Sequence, residues 1–399
     1  MHQKEGSRKI SNSDMTADAS VSVRLNPFKS GGVELPILQD AVKVPWSPYG
    51  YILKERPLFT LHPLFHAGCY YVQDSSAMFV GHVFRRHLRD VGDSRPLRVL
   101  DLCAAPGGKT TDIAASLREF AGDRFELFSN EVMRQRVQVL CDNVAIWGDP
   151  NVKVISADPS VIGKRFPGYF DIIVADVPCS GEGMFRKDPS AQAQWSPALV
   201  DTCAARQRRI LADVWPALRE DGILIYSTCT YEDAENDSNL EWAASELGGE
   251  IFSPVDEFAD YGVKLTRCGN ILRVGDVPGE GQWAGALRKT VPAPCRAVQT
   301  ISPLWSAPER GEMKGNKFVP NPDWALSIAY DHSLPEAALD KPTALHFLHR
   351  DTIVLPDAPK GFVAVTYKGV PLGFVNNLGT RCNNLHPSHR RILMDVTSY

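Results

Sequence analysis

Nothing in the 399 residues is apolar for long enough, about 18 positions, to cross a bilayer as a helix, which argues against a membrane protein. The start of the chain lacks the apolar stretch of a secretory leader. It is polar and rich in Ser, Lys and Asp, so residues 1–20 read as a disordered tail and the chain as cytoplasmic. CxxC pairs are missing, and the nine cysteines are an odd number scattered along the chain. That excludes a disulfide framework and a zinc knuckle, leaves no metal site in view, and fits a reducing compartment. An excess of positive charge is missing too: 43 Lys and Arg against 47 Asp and Glu leave a net charge of −4, so any nucleic-acid contact must come from local basic patches. Neither repeats nor low-complexity blocks occur.

What is present is an ordinary globular composition, 44% hydrophobic and 23% charged, at a length that favours more than one domain. The middle of the chain alternates short β-branched runs with helical patterns. Strands are predicted over residues 97–102, 125–129, 152–156, 170–175 and 222–227, with helices over 109–117, 132–147 and 199–218. Strands joined through crossover helices make a parallel sheet covered on both faces, hence a doubly wound, Rossmann-like α/β core over residues 91–290, with ligands at the carboxyl ends of the strands. Residues 21–90, rich in Pro and aromatics, read as a small mixed N-terminal region. Residues 291–320, rich in Pro, Gly and charge, read as a linker, and residues 321–399, with β-type runs at 352–355, 362–367 and 372–375, as a small mostly-β domain.

The first strand runs into Asp101, Leu102, Cys103, Ala104, Ala105, Pro106, Gly107, Gly108, Lys109 and Thr110. Small residues and two glycines at a strand-to-helix turn let a ligand approach the backbone and the amides of the helix N-terminus. Neither GxGxxG nor GxxxxGK[ST] is matched, so the dinucleotide and P-loop readings lose support. The second strand ends at Glu131, placed for both ribose hydroxyls of a nucleoside, and the third at Asp158, placed for its adenine. A nucleoside site without a phosphate-binding lysine loop points to S-adenosylmethionine. The plain alternative for each acidic residue is a solvated turn or a helix cap.

Two further strand ends carry thiols: Asp176, Val177, Pro178 and Cys179 after the fourth, and Ser227, Thr228 and Cys229 after the fifth. Carbon 5 of cytosine is too weak a nucleophile to take a methyl group unaided, and covalent catalysis divides the step. A thiolate adding to C6 activates C5, and a second group assists proton loss or release. Asp176 is placed to orient the N3/N4 edge of the base. The rival for such a pair is a redox couple; Cys69, Cys141, Cys203, Cys268, Cys295 and Cys382 are read as inert packing.

In combination these segments resemble the Sun/Nop-type RNA cytosine-5 methyltransferases, especially their RsmF-type members that act on 16S rRNA. Residues 101–111 are similar to that family's cofactor loop, 176–189 to its DxPCSGEG-x-x-RKDP segment and 226–231 to its STCT segment. Ser22 to Pro27 resembles its RxN motif, and Tyr71 to Met78 its Y-x-Q-[ED]-x-S segment. The resemblance departs near residues 272–283, where an Arg-x-x-Pro-His segment is missing and Trp283 replaces the usual Phe. It implies Cys229 as nucleophile and Cys179 as the thiol assisting release, with Lys109 facing the reacting centre and Asp176 near both base and methionine moiety. Residues 103–109 would wrap the cofactor.

RNA contacts are expected, by the resemblance, at Arg24 and Asn26, and on charge at Arg186, Lys187, Arg206, Arg208, Arg209, Arg381, His386, His389, Arg390 and Arg391. The segments at 370–375 and 383–387 resemble a PUA-like RNA-binding tail, which implies 16S rRNA or the small ribosomal subunit as partner, with no DNA, no membrane and a monomeric chain. A tRNA cytosine-5 methyltransferase and a non-catalytic ribosome-assembly factor are the alternatives.

Overall fold

A computed structural model of the protein describes residues 20–91, 95–186 and 189–397. The tail expected over residues 1–20 lies, except for Ser20, outside the described residues. The central unit runs β1 (Leu97–Asp101), α1 (Gly108–Ala121), β2 (Phe125–Asn130), α2 (Arg134–Trp147), β3 (Val152–Ile155), α3 (Pro159–Arg165), β4 (Phe170–Asp176), α4 (Pro197–Val214), β5 (Leu218–Thr228), α5 (Asp237–Leu247), β6 (Gly269–Leu272) and β7 (Gln282–Lys289). In space the strands lie in the order β6-β7-β5-β4-β1-β2-β3. Strands β1 to β5 are parallel neighbours, and β7 enters antiparallel to β5. The doubly wound core expected from the alternating pattern is therefore present.

Its layers follow from the period of two along each strand. Val99, Leu127, Val154, Val174 and Ile225 point to one face and pack under α1, α2 and the helix Met78–Val91. Leu100, Phe128, Ile155, Ile173 and Leu224 point to the other, under α3, α4 and α5. Strands buried on both faces read as continuous apolar runs, as β4 does with Phe170, Ile172, Ile173, Val174 and Ala175 all fully buried. Chain order reverses between β1 and β4, which opens a crevice at their carboxyl ends.

Around this unit the boundaries fall differently from expectation. The helix Met78–Val91, read as part of the N-terminal region, buries Phe79, Val80, Val83 and Phe84 against the central sheet. The expected linker contributes Trp305–Ser306 as an antiparallel edge strand on β3, then a hairpin, Gly311–Lys314 with Lys317–Pro320. Pro and Gly marked turns there, and the sheet edge supplied the pairing. The N-terminal sheet, Val21–Leu25, Val42–Lys43, Gly50–Leu53 and Tyr70–Val72, shares one apolar cluster with the C-terminal domain. That domain is a sheet of Glu336–Leu339, Gly361–Tyr367, Val370–Asn377 and Cys382–Asn384, with the helix Lys341–His349 against it. Residues 352–355, read as a strand, pair with no strand here, whereas 336–339 do.

Candidate active site

The loop after β1 turns at Gly107, whose φ of 110° excludes a side chain without strain, and delivers Gly108 as the first residue of α1. Beneath it Asp101 is fully buried. Its Oδ2 accepts a 2.6 Å hydrogen bond from Thr110, while Oδ1 has no partner among the described residues. Burial, with no full set of donors, pushes the Asp101 carboxyl up to about 7. Glu131 follows β2 and is likewise buried. Oε1 accepts from the Met133 amide at 2.9 Å, and Oε2, 3.4 Å from Arg136, accepts no hydrogen bond among the described residues. Asp101 Oδ1 without a donor and Glu131 Oε2 with only the Arg136 ion pair, beside a side-chain-poor loop, fit a ligand carrying hydroxyls.

On the other side of the crevice, β4 and β5 run side by side, with Asp176 opposite Ser227. Asp176 Oδ1 accepts from Ser227 Oγ at 2.7 Å and from Gln282 Nε2 at 3.1 Å, and Oδ2 pairs with Lys109 Nζ at 2.7 Å. Gln282, which also donates to Thr228 O at 2.8 Å, is fixed at the start of β7. Burial alone would lower the Lys109 ammonium, but the attraction of Asp176 outweighs it and holds the group above its ordinary range. Lys109 is therefore a permanent cation at the mouth of the crevice.

The two thiols meet there: Cys179 Sγ and Cys229 Sγ lie 3.1 Å apart, both partly exposed. The hydrogen bond between the sulfurs drives the two thiols apart: it lowers Cys229, with Lys109 helping against burial and Asp176, and it raises Cys179, with burial, well above the usual thiol range. One sulfur is favoured as thiolate and the other as its proton donor. The loop between them is packed tightly. Gly183 donates to Cys229 O at 2.7 Å, and a Cβ there would sit 2.8 Å from that oxygen. Glu182 accepts from Thr230 Oγ1 and from the Tyr231 amide.

The sequence-predicted residues separate into two groups. Cys103, Ala104, Ala105, Pro106, Gly107, Gly108, Lys109, Glu131, Asp176, Cys179 and Cys229 gather at this one edge of the sheet. Asp158 reaches the same edge, but its carboxylate caps α3, accepting from the Ser160 amide at 2.9 Å and from its hydroxyl, which holds it below the ordinary carboxylate range. Asp101, Gln282 and Ser227 were not singled out. Asp101 carries the same signal as Glu131, an acid closing a strand, whereas Gln282 comes from a distant strand whose register no local pattern reveals.

Several expected RNA contacts are corrected. Arg24 is fully buried, donates to Gln73 Oε1 at 2.8 Å, Gly108 O at 3.1 Å and Thr111 Oγ1 at 2.5 Å, and lies over the Trp147 ring. Asn26, also buried, donates to Trp147 O at 3.0 Å. Both fasten the N-terminal sheet to α1 and α2 and cannot reach a phosphate. Arg186 is spent on a two-pronged pair with Glu280, and Arg390 on Asp323. His386 is buried with Nε2 on Arg390 O, Arg208 bonds Asn239, and exposed His389 meets Asp142. Arg206, Arg209, Arg381 and Arg391 remain exposed, and Lys187 lies outside the described residues.

A doubly wound sheet with its last strand reversed and an acid-lined crevice at the switch point defines a Rossmann-like methyltransferase fold. Family descriptions match the chain in three parts: the N-terminal domain of 16S rRNA methyltransferase RsmF over residues 9–75, 16S rRNA methyltransferase RsmB/F over 93–247, and the methyltransferase RsmF PUA domain over 335–392. The chain belongs to this RsmB/F-type family. It is similar to the ribosomal RNA small subunit methyltransferase F of Salmonella agona, 34% identical over 70% of this chain and 60% of that protein, and to that of Pectobacterium carotovorum, 35% identical over 63% and 51%. The chain thus covers under two thirds of the length of these relatives. Among solved structures it is similar to a methyltransferase homolog protein from Pyrococcus horikoshii (TM-score 0.55, 25% identity, 69% of this chain and 88% of that one) and to NSun6 of the same organism (TM-score 0.56, 17% identity, 70% and 93%), the latter a likeness of fold.

Proposed function

We propose that the protein methylates carbon 5 of a cytosine in RNA, with 16S rRNA as substrate in the cytoplasm, using S-adenosylmethionine as donor. The observation that carries this reading is the pair of sulfurs 3.1 Å apart beside the Lys109–Asp176 ion pair, at the edge of the sheet where the glycine loop lies. Residues 103–109 would hold the cofactor, with Glu131 Oε2 on the ribose, Asp158 at the adenine rim and Asp101 Oδ1 as a further acceptor. When bound, S-adenosylmethionine supplies an electrophilic methyl group.

The rest falls to the chain's own groups. Cys229 adds as thiolate to C6 of the base, and the electron pair displaced from the C5–C6 bond makes C5 nucleophilic. Asp176, held by Ser227 and Gln282, accepts from the N4 amino edge, and Lys109 offsets the negative charge gathered at the site. After C5 is methylated, the electron pair of the C5–H bond reforms the C5–C6 double bond as the C6–S bond breaks; Cys179 donates its proton to the departing Cys229 sulfur, and the thiolate it becomes accepts the proton from C5. A base must be out of its stack to reach these groups. The PUA-type domain, with Arg391, and α4, with Arg206, are the surfaces assigned to RNA.

Bisulfite sequencing of 16S and transfer RNA from cells with and without the gene tests this reading. One or more protected cytosines in 16S rRNA should become convertible when the gene is lost. Unchanged protection in both RNAs would overturn it.

A further inference from the structure

Beneath Cys179 lies a polar cluster that the reaction above does not use. Glu235, from the turn after β5, is fully buried; its Oε2 accepts from the Ser180 amide at 3.1 Å and from Gln207 Nε2 at 2.7 Å. Gln207, on α4 and also fully buried, donates from the same nitrogen to Pro178 O at 3.0 Å. Its orientation is fixed, because its Oε1 accepts from Asn239 at 2.8 Å and from Tyr226 OH at 3.1 Å. Tyr226 OH also contacts Glu235 O at 2.6 Å. Thus the peptide groups on both sides of Cys179 are tied to one buried carboxylate, directly at Ser180 and through Gln207 at Pro178.

Both donors to Glu235 are neutral. They define an acceptor and leave its negative charge uncompensated next to the thiol. We propose, resting on the reaction proposed above, that Glu235 is the positioning residue of the second thiol: it fixes the Pro178–Cys179–Ser180 turn within reach of Cys229 and keeps the shared proton on Cys179.

The charges facing the pair fit this division. Cys179 is faced by Cys229 and by Glu235, with Glu182 of its own loop behind, whereas Cys229 is faced by Lys109 and Asp176. After the hydrogen bond, burial and the charge of Cys229, the Glu235 charge adds to the rise of Cys179; on Cys229, Asp176 opposes charge and Lys109 favours it. Burial raises Glu235 itself against the pull of its two donors, so its influence fades as pH falls through that raised value.

The test follows iodoacetamide alkylation of Cys179 against pH by peptide mass spectrometry, in the full chain carrying Cys229→Ala, with and without Glu235→Gln. With Glu235 intact the alkylation midpoint should lie above the ordinary thiol value. Removing the carboxylate should speed alkylation at pH 8 by about tenfold, the equivalent of one unit. An equal rate in the two chains, or a midpoint at or below the ordinary value with Glu235 intact, overturns the proposal; the second measurement stands even where Glu235→Gln does not fold. Exchanging the partners, Gln207→Glu with Glu235→Gln, keeps one charge in the cluster and should restore slow alkylation if charge matters, whereas persistent fast alkylation overturns the electrostatic part. Alkylation needs neither cofactor nor RNA. If alkylation shows this dependence while the unsubstituted chain, with Cys229 in place, methylates no RNA, the proposed reaction falls and the thiol assignment stands.

Discussion

The carboxyl edge of the central sheet and the seam where the N-terminal sheet meets α1 and α2 are both built from buried polar side chains, yet they treat them oppositely. At the edge, Asp101 Oδ1 and Glu131 Oε2 accept no hydrogen bond among the described residues, and two thiols are held partly open. At the seam, Arg24 delivers Nε and Nη2 to three acceptors and lays its plane on Trp147, and Asn26 closes on a carbonyl. A buried polar group with its partners in place holds structure together. At the seam the atoms without a hydrogen bond among the described residues, Arg24 Nη1 and Asp112 Oδ2, belong to one ion pair, Oδ2 lying 3.8 Å from Arg24 Nε, whereas at the edge they border a side-chain-poor loop that a ligand can approach. The difference can be broken experimentally.

The largest effect belongs to the edge. Cys229→Ala should reduce methyl transfer by about 10^4-fold or more, as expected when a covalent nucleophile is lost, with the melting profile little altered. Cys179→Ala should instead accumulate a protein–RNA adduct on denaturing gels, and an adduct accumulating with Cys229→Ala would reverse the two roles. Next, Lys109→Ala, which removes the cation beside Asp176 and Cys229, should lower the single-turnover rate by about 10^2–10^3-fold, the range for a preorganised charge. At the seam the signature reverses: Arg24→Ala leaves Gln73 Oε1 without its donor, while Asp112, 3.8 Å from Arg24, keeps Arg85 at 2.9 Å; the substitution should cost about 1–3 kcal/mol of stability by urea unfolding. Its chemical step below the melting range should stay within a few-fold. A chemical defect larger than the stability defect would show that Arg24 acts on the site.

Asp101 lies between the two behaviours. Its carboxyl ionises near 3.9 when unfolded and at about 7 when folded. Between those values the folded chain binds more protons, so stability should fall as pH rises from about 4 to 7 and level off above. Asp101→Asn should flatten that slope in urea titrations; an unchanged slope would show that Asp101 is not the group responsible. Smallest of all, Arg206→Ala and Arg391→Ala should each raise KM for RNA a few-fold and reduce the salt dependence of binding by about one phosphate contact.

Much of the core could be read from residue order alone. The five parallel strands, the glycine turn and the positions of Glu131, Asp176, Cys179 and Cys229 follow from apolar runs that end in polar residues, a local pattern. Harder to read were the neighbours those side chains acquire. Arg24 and Asn26 look like exposed cationic and amide groups until the sheet they belong to closes on α1 and α2, and Arg186 looks free until Glu280 arrives from 94 positions away. The helix Met78–Val91 carries its own amphipathic pattern, with Phe79, Val80, Val83 and Phe84 on the buried face, and was legible locally, whereas Trp305–Ser306 was not, because edge pairing needs a partner strand more than a propensity.

Local chemistry fixed which residues close each strand, and therefore the kinds of group available at the sheet edge, because a period-two strand and a glycine turn are specified within a dozen residues. Only the folded chain decided which of those groups meet. The approach of the two sulfurs, the anchoring of Asp176 by Gln282 and the burial of Arg24 each depend on segments far apart in sequence, whose separation is set by packing.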